Sequence, residues 1–299
     1  MALFDTELGE IKGKFASLKT IRDIAGLLEI KYSSPIYYIR KVPDEKKYTK
    51  FCIPKKSGGE REIFAPIPPL RFIQKKLNFI LQNTFVPNYC VHGFISNKNV
   101  VTNANCHVKQ RYVLNIDLKD FFPSINFGRV RGMFMAYPFS FNSTVATFLA
   151  QICCYSNQLP QGAPTSPIVS NFICAKLDRQ FLNLSKENNC RYTRYADDLT
   201  ISTYLPKFSE KILVMNPDMW EYSVVLSDEI KNIVENNGFT INDRKIRLRN
   251  KKQRQEVTGL IVNKFPNVTR KFIRQVRAML HALQKFGLKK IRRRILCSL

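Results

Sequence analysis

The sequence is poor in the residues that build thiolate and imidazole metal sites, and it has no long apolar run. It contains three histidines and eight cysteines with no CxxC pair, so we expect no zinc site and interpret the cysteines as reduced core residues of a cytoplasmic protein. No stretch approaches the roughly 18 apolar residues of a transmembrane helix, and "MALFDTELGEIKGKF" lacks the pattern of a signal peptide. We expect no membrane partner.

Acidic residues are scarce relative to basic ones. Forty-eight Lys and Arg oppose 23 Asp and Glu, which gives a net charge of +25 and a pI near 9.9. Such an excess indicates a polyanionic partner, either a nucleic acid or an acidic membrane surface. The last sixty residues contain the basic runs "DRKIRLRNKKQRQ", "TRKFIRQVR" and "LKKIRRR". Because these runs are interleaved with Phe, Ile and Leu, they favour a folded basic surface over a loose tail.

The order of apolar patterns predicts an α+β fold for the 299 residues. "RYVLNIDLKDFFPSI" predicts a strand that ends near Asp117, and "YTKFCIPKKSGGEREIFAP" predicts a hairpin with its turn at residues 57–59. "FTINDRKIRLRN" and "EVTGLIVN" predict further strands. Most segments between the strands have helical spacing, with Ser166 expected to cap one helix and Gly238 to end another.

Two adjacent carboxylates, Asp197 and Asp198, lie inside "RYTRYADDLTIS", which otherwise has a strand pattern. In a regular strand they would point to opposite faces, so the segment is best interpreted as a tight hairpin. If its strands lie beside the strand that ends at Asp117, the three carboxylates converge and repel one another unless cations neutralise them. Oxygen-only ligands favour Mg²⁺. For the Asp pair alone, a solvated turn is the competing interpretation.

Three motifs in a fixed order resemble the reverse transcriptases. "NIDLKDFF" is similar to the first palm motif of that family, "LPQGAPTSP" to its second, and "YADD" to its catalytic hairpin. The resemblance implies a right-hand polymerase with fingers, a palm made of an antiparallel sheet plus helices, and a short helical thumb. It also implies that Asp117, Asp197 and Asp198 are catalytic and bind two Mg²⁺ ions, with Mn²⁺ as a substitute.

The same resemblance implies roles for residues that would hold a deoxynucleoside triphosphate. Phe122 matches the bulky residue under the incoming sugar, and a ring there would exclude a ribose 2′-hydroxyl. Gln161 matches the segment that packs on the nascent base pair. Arg61 and Lys55 match the fingers cations that hold the triphosphate, and Lys245 matches a lysine proposed to protonate the leaving group.

Two shorter motifs resemble the retron type of reverse transcriptase. "NANCH" fits an Asn-Ala-x-x-His pattern through Asn103 and His107, and "VTG" at 257–259 fits a pattern just before the thumb. The resemblance implies RNA-binding roles for these motifs and for basic residues of the predicted thumb helix. The RNA-binding residues predicted in this way are Asn103, His107, Val257, Thr258, Gly259, Arg270, Lys271, Arg274 and Arg277.

A retron enzyme copies part of its own structured non-coding RNA into single-stranded DNA, primed from an RNA 2′-hydroxyl. The resemblance therefore implies as partners a cognate RNA, its DNA product and deoxynucleoside triphosphates. It also implies a separate effector protein and a role in defence against phage. We expect a helical extension at 1–30, fingers and palm at 31–262 and a basic helical thumb at 263–299. The alternatives are a group II intron or diversity-generating reverse transcriptase, a non-catalytic RNA-binding protein with this fold, and a basic membrane-surface protein.

Overall fold

The computed structural model of the chain describes residues 3–54, 58–215 and 224–295. Its α-helices, in chain order, are α1 Leu8–Ala16, α2 Ile21–Leu27, α3 Ser33–Ile36, α4 Asp44–Lys47, α5 Pro68–Thr84, α6 Val100–Asn105, α7 Phe127–Met135, α8 Ser143–Cys153, α9 Ser166–Ile173, α10 Ala175–Glu187, α11 Asp228–Asn236 and α12 Arg270–Ile295. Its strands are β1 Tyr48–Pro54, β2 Glu60–Pro66, β3 Tyr112–Asp117, β4 Arg191–Tyr195, β5 Asp198–Thr203, β6 Leu213–Met215, β7 Val224–Leu226, β8 Arg247–Asn250, β9 Glu256–Val257 and β10 Leu260–Ile261. The predicted α+β class is confirmed.

The central sheet has four strands in the order β4-β5-β3-β8, and every neighbouring pair is antiparallel. Three further antiparallel pairs in the described residues, β1–β2, β6–β7 and β9–β10, form two-stranded sheets. The predicted β1–β2 hairpin is confirmed, although residues 55–57 of its turn lie outside the described residues. Within "FTINDRKIRLRN" only β8 forms a strand of the sheet, because residues 243–245 make a turn of 3₁₀ helix instead.

Both faces of the central sheet are covered, as the alternation of β3 requires. Leu114 and Ile116 belong to the main apolar core, which also contains buried residues of α1, α2, α5, α8, α9 and α10. Val113 points the other way and packs in a small separate cluster with Ala104, Val257 and Val262. The strand that ends at Asp117 is therefore clamped between a large helical layer and the β9–β10 hairpin.

Two helix ends were predicted from single residues, with opposite outcomes. Gly238 follows the end of α11 and has φ of 69°, so it terminates that helix as expected. The prediction that Ser166 caps α9 is wrong. Thr165 occupies the N-cap of α9 without a side-chain cap, and the Ser166 hydroxyl donates instead to the Pro160 carbonyl at 2.7 Å. That bond ties the first residue of α9 to the loop before the helix, so the Ser166 hydroxyl does not cap it.

The C-terminal basic segment forms α12, which is helical as predicted. Gly287 interrupts it with φ of 67°. Within the part of the chain that the structure describes, no helix combines the length and the apolar content needed to cross a lipid bilayer.

Candidate active site

The hairpin predicted around Asp197 and Asp198 is present. β4 and β5 pair with Tyr195 opposite Asp198, so Ala196 and Asp197 form a two-residue turn. Ala196 has φ of 56°, in the left-handed region where a residue with a Cβ is strained. The register of the two strands therefore confirms a tight hairpin with the aspartate pair at its tip.

Asp117 lies next to this tip. β3 pairs with β5, and Asp117 is the direct partner of Asp198. Partners in an antiparallel pair project from the same face, so these two carboxylates share one end of one face of the sheet. The backbone N–H of Leu118 donates to the Asp197 carbonyl at 3.0 Å, which holds the turn against the end of β3. The predicted convergence of the two strands is confirmed.

A lysine and an asparagine hold the Asp117 carboxylate. Lys245 Nζ donates to Oδ2 at 2.9 Å, and Asn242 Nδ2 donates to Oδ1 at 3.0 Å. The Asn242 backbone N–H also donates to the Asp117 carbonyl at 2.9 Å. Asp117 is 8% exposed, whereas the lysine side chain is 49% exposed. Lys245 therefore bridges the buried carboxylate and solvent, and Asn242 is a site residue that the sequence patterns did not indicate.

The remaining two carboxylates are electrostatically strained. Burial, reinforced by the charges of Asp197 and Asp117, raises the pKa of Asp198 to about 6. Burial also raises the pKa of Asp197, and the charge of Asp117 adds to this, while Lys245 and Arg61 act in the opposite direction. Burial and mutual repulsion therefore disfavour the ionised form of both carboxylates.

The donor chemistry suits a hard divalent cation. The tip offers carboxylate oxygens and neither thiolate nor imidazole, which is the ligand set that Mg²⁺ prefers. Across the described ranges, however, no three or more His, Cys, Asp or Glu side chains are grouped so as to hold a metal ion as they stand. Lys245 and Asn242 each donate to one oxygen of Asp117, so an ion bound by this carboxylate would share it with these donors or displace them.

The raised pKa of Asp198 gives a prediction about stability. Because the folded protein binds the proton of Asp198 more tightly than the unfolded chain does, stability falls as the pH rises from about 4 to about 6, and the loss is complete above that. We expect Asp198→Asn to raise the free energy of unfolding of the metal-free protein at pH 8 by about 2–3 kcal/mol. At pH 4.5 the gain shrinks, since the wild-type carboxyl is then mostly protonated. Denaturant unfolding in EDTA at both pH values measures this, and equal gains at both would contradict it.

The Gln161 loop packs against the β1–β2 hairpin. The Phe64 N–H donates to the Gln161 carbonyl at 2.7 Å. Gly162 has φ of 120°, and a Cβ there would lie 2.9 Å from both Ile63 Cγ2 and the Phe64 carbonyl oxygen, so only glycine permits this approach. Arg61, two residues before Ile63 on β2, is exposed and lowers the pKa of Asp197 by its charge. The charge of Arg61 therefore acts on Asp197, whereas the Gln161 loop contacts the β1–β2 hairpin and its role stays a prediction.

Phe122 and Lys55 have different outcomes. The Phe122 ring is half-buried, 5.2 Å from the Phe121 ring and 6.3 Å from that of Phe94, which is 37% exposed. It is thus a partly accessible ring five residues after the end of β3. Lys55 lies outside the described residues, and its role stays a prediction.

The two short motifs contact each other. Asn103 Nδ2 donates to Thr258 Oγ1 at 3.5 Å, and Thr258 Oγ1 donates to the Val100 carbonyl at 3.2 Å. The His107 ring is fully buried between Ser202 Oγ at 2.6 Å and Thr193 Oγ1 at 2.7 Å. Burial lowers the pKa of this imidazole to about 3, so it is neutral at physiological pH.

This packing changes how the RNA-binding predictions are understood. Asn103, His107 and Val257 are fully buried, so in this conformation their side chains offer no surface to RNA. Thr258 and Gly259 form the β9–β10 turn, where the glycine is exposed. The basic residues predicted on α12 are all exposed: Arg270, Lys271, Arg274 and Arg277. Contact of these exposed residues with RNA stays a prediction. The buried residues Asn103, His107 and Val257 instead pack against the sheet and its neighbouring turn.

Comparison with known proteins agrees with this geometry. The reverse transcriptase (RNA-dependent DNA polymerase) family matches residues 53–262. Retron Mx65 reverse transcriptase of Myxococcus xanthus is 32% identical over 283 residues, covering 88% of this chain and 62% of the relative. Retron Ec86 reverse transcriptase of Escherichia coli is 31% identical over 267 residues, covering 89% and 74%. The chain belongs to the reverse transcriptase family, and within it to the retron type.

The predicted family and its fold are therefore confirmed. This retron-type reverse transcriptase spans less than two thirds of the Mx65 relative. Among solved structures, the apo telomerase of Candida tropicalis truncated from its C-terminal domain aligns with a TM-score of 0.47 at 12% identity, covering 76% of this chain and 56% of that one. The match to the family includes every predicted site residue except those on α12.

Proposed function

We propose that this protein is an RNA-directed DNA polymerase that copies part of a cognate structured RNA into single-stranded DNA. The observation that carries the proposal is the register that sets Asp117 opposite Asp198, with Asp197 in the adjoining turn. Three carboxylates gathered at one point are what a polymerase needs to attract divalent cations. The family supplies the reaction class, and the charge of +25 suits an RNA partner.

In the proposed mechanism Asp117, Asp197 and Asp198 hold two Mg²⁺ ions, or Mn²⁺ in their place. When bound, the ions activate the attacking hydroxyl and neutralise the leaving pyrophosphate. Lys245 releases Asp117 and holds a proton near the departing phosphates. The Lys245 side chain is half-exposed, so its ammonium would have room to turn away from Asp117.

The deoxynucleotide is held by groups on both sides of the carboxylates. Arg61, exposed on β2, binds its phosphates. The ring of Phe122 lies under the sugar and excludes a 2′-hydroxyl, and the Gln161 loop packs on the new base pair. These assignments are supported by the family match and, for Arg61, by its charge acting on Asp197.

The proposed template is a retron RNA, and the proposed product is a DNA joined to that RNA through a 2′-hydroxyl. The relatives are retron reverse transcriptases by name, and the exposed basic residues of α12 offer a surface for the RNA backbone. A separate effector and a defence role complete the proposal. The proposed cytoplasmic location rests on the cysteines, since all seven in the described residues are free.

The test is the nucleic acid that co-purifies with the protein expressed from its native operon. We expect a species that neither RNase nor DNase degrades completely, since the branched molecule contains both RNA and DNA. The same operon with Asp197→Asn is the control and should yield RNA alone. Recovery of only linear RNA with the wild-type protein would contradict the retron substrate and favour another bacterial reverse transcriptase. Primer extension on an unrelated RNA template would then separate a wrong substrate from a wrong reaction.

A further inference from the structure

The turn that carries Asp197 rests on a buried charged cluster on the other side of the sheet. Arg194 is fully buried and makes a two-pronged ion pair with Asp178 of α10, with Nε to Oδ1 and Nη2 to Oδ2 both at 2.8 Å. The Tyr192 hydroxyl donates to the same carboxylate at 3.0 Å. A charge taken into the core is costly unless it is paired and hydrogen-bonded, and here both partners are.

The guanidinium does more than neutralise Asp178. Its Nη1 donates to the carbonyl of Ala196, the first residue of the turn, at 3.2 Å. The next carbonyl, that of Asp197, accepts from the Leu118 N–H at 3.0 Å. Both carbonyls of the two-residue turn are therefore fixed, one by Arg194 and one by the end of β3. The strained backbone of Ala196 is held where it is.

A second element locks the same turn from the side. Asn171 Oδ1 accepts from Arg194 Nη2 at 3.1 Å, and its Nδ2 donates to the Gly93 carbonyl at 3.1 Å. The backbone N–H of Arg194 donates to the Cys90 carbonyl at 2.9 Å. A Cβ on Gly93 would lie 2.6 Å from the Ala196 nitrogen. One asparagine thus ties the arginine to a loop that touches the turn directly.

We propose that Arg194 is a positioning residue for the carboxylates at the hairpin tip. It lies opposite Leu199 in the register, so it projects from the face opposite to that of Asp198. It therefore cannot contact the substrate and acts through the Ala196 carbonyl. A wholly apolar contact would stabilise the hairpin, but directional hydrogen bonds also fix the orientation of the turn relative to the sheet. This proposal rests on the metal-binding role proposed for Asp197 and Asp198.

Arg194→Lys tests the proposal because it keeps the charge for Asp178 while removing the fork. A lysine ammonium cannot bond both oxygens of Asp178, Asn171 and the Ala196 carbonyl together. We expect kcat to fall about tenfold or more, the order that a small misplacement of reacting groups costs. Mn²⁺ affinity, measured by the electron paramagnetic resonance signal of free Mn²⁺, should weaken several-fold. The KM for the template–primer should stay within about twofold, since no nucleic-acid contact is removed.

Arg129→Lys is the matched control. Arg129 is also a core-side arginine that donates to backbone carbonyls, those of Ser124, Asn237 and Gly238, but none of them belongs to the hairpin turn. We expect this variant to lose thermal stability without a change in Mn²⁺ affinity. A purely structural role for Arg194 predicts that both variants behave alike, and that result would overturn the proposal.

Two further variants keep the test decisive. If Arg194→Lys does not fold, Asn171→Ala removes one partner of the guanidinium. It should change kcat and Mn²⁺ affinity in the same direction by about threefold or more, since one charge-assisted hydrogen bond is lost. Suppose that Asp197→Asn loses Mn²⁺ binding but every folded variant at Arg194 or Asn171 keeps the wild-type kcat and Mn²⁺ affinity. The positioning role would then be overturned, while the metal site would stand. If Asp197→Asn binds Mn²⁺ like the wild type, the metal site and the positioning role fail together.

Discussion

Asp197→Asn is expected to lower DNA synthesis on an RNA template by about 10³-fold or more, the upper end of what loss of one principal electrostatic group costs. The substitution keeps the shape of the side chain and removes its charge. In the folded protein the pKa of Asp197 is already raised by burial and by Asp117, so a neutral amide relieves repulsion. The loss should therefore appear in kcat while the stability of the metal-free protein is unchanged or higher. Incorporation of deoxynucleotides into a primed RNA template with Mg²⁺ measures it.

A control for this variant is Asp120→Asn. Asp120 is an exposed carboxylate three residues after Asp117, with φ of 45°, a conformation that asparagine tolerates as well as aspartate. Its charge lies near the site without belonging to the hairpin tip, and we expect activity close to that of the wild type. Equal losses in the two variants would indicate a general effect of negative charge. Retention of more than a tenth of wild-type activity in Asp197→Asn would contradict the metal assignment.

Asp178→Asn is expected to destabilise the fold by about 3–5 kcal/mol, the cost of leaving a buried charge without its partner. The amide can accept one hydrogen bond from Arg194, but it cannot neutralise the guanidinium, which is fully buried. For a chain of this size the melting temperature should fall by about 10 °C. Thermal and denaturant unfolding, each followed by circular dichroism, measure the change.

The comparison variant is Asp228→Asn, which breaks the exposed ion pair with Lys231 at the start of α11. That carboxylate is 90% exposed, and exposed pairs contribute little to stability because solvent screens them. We expect no measurable shift in its unfolding midpoint. A similarly small effect for Asp178→Asn would mean that water reaches Arg194. That result would contradict the description of Arg194 and Asp178 as a buried ion pair beneath the hairpin.

The sequence predicted the parts of the site that are local in the chain. The hairpin follows from two aspartates inside a strand pattern, and its position beside Asp117 follows once the two strands are neighbours. These signals are strong because alternation and turn chemistry act over a few residues. The order of the three motifs added the family.

The residues that the sequence did not indicate act across long separations. Asn242 lies 125 residues from Asp117, and Asn171 lies 23 residues from Arg194. An arginine in a strand pattern reads as a solvated charge, and nothing local shows that it is buried. Likewise, the mutual contact of Asn103 and Thr258 needs the packing of α6 on the β9–β10 hairpin. Tertiary structure decides such roles, because burial and partners are not encoded in spacing.

The contacts of the two short motifs also connect the central sheet to the start of α12. His107 bonds Thr193 of β4 and Ser202 of β5, and Asn103, four residues earlier, bonds the β9–β10 turn. α12 begins nine residues after β10, and Asn267 pairs back with Ile261. The start of the basic helix is thus joined to the central sheet by one packed segment. If RNA binds α12 as proposed, this segment would determine how far that RNA lies from the three carboxylates.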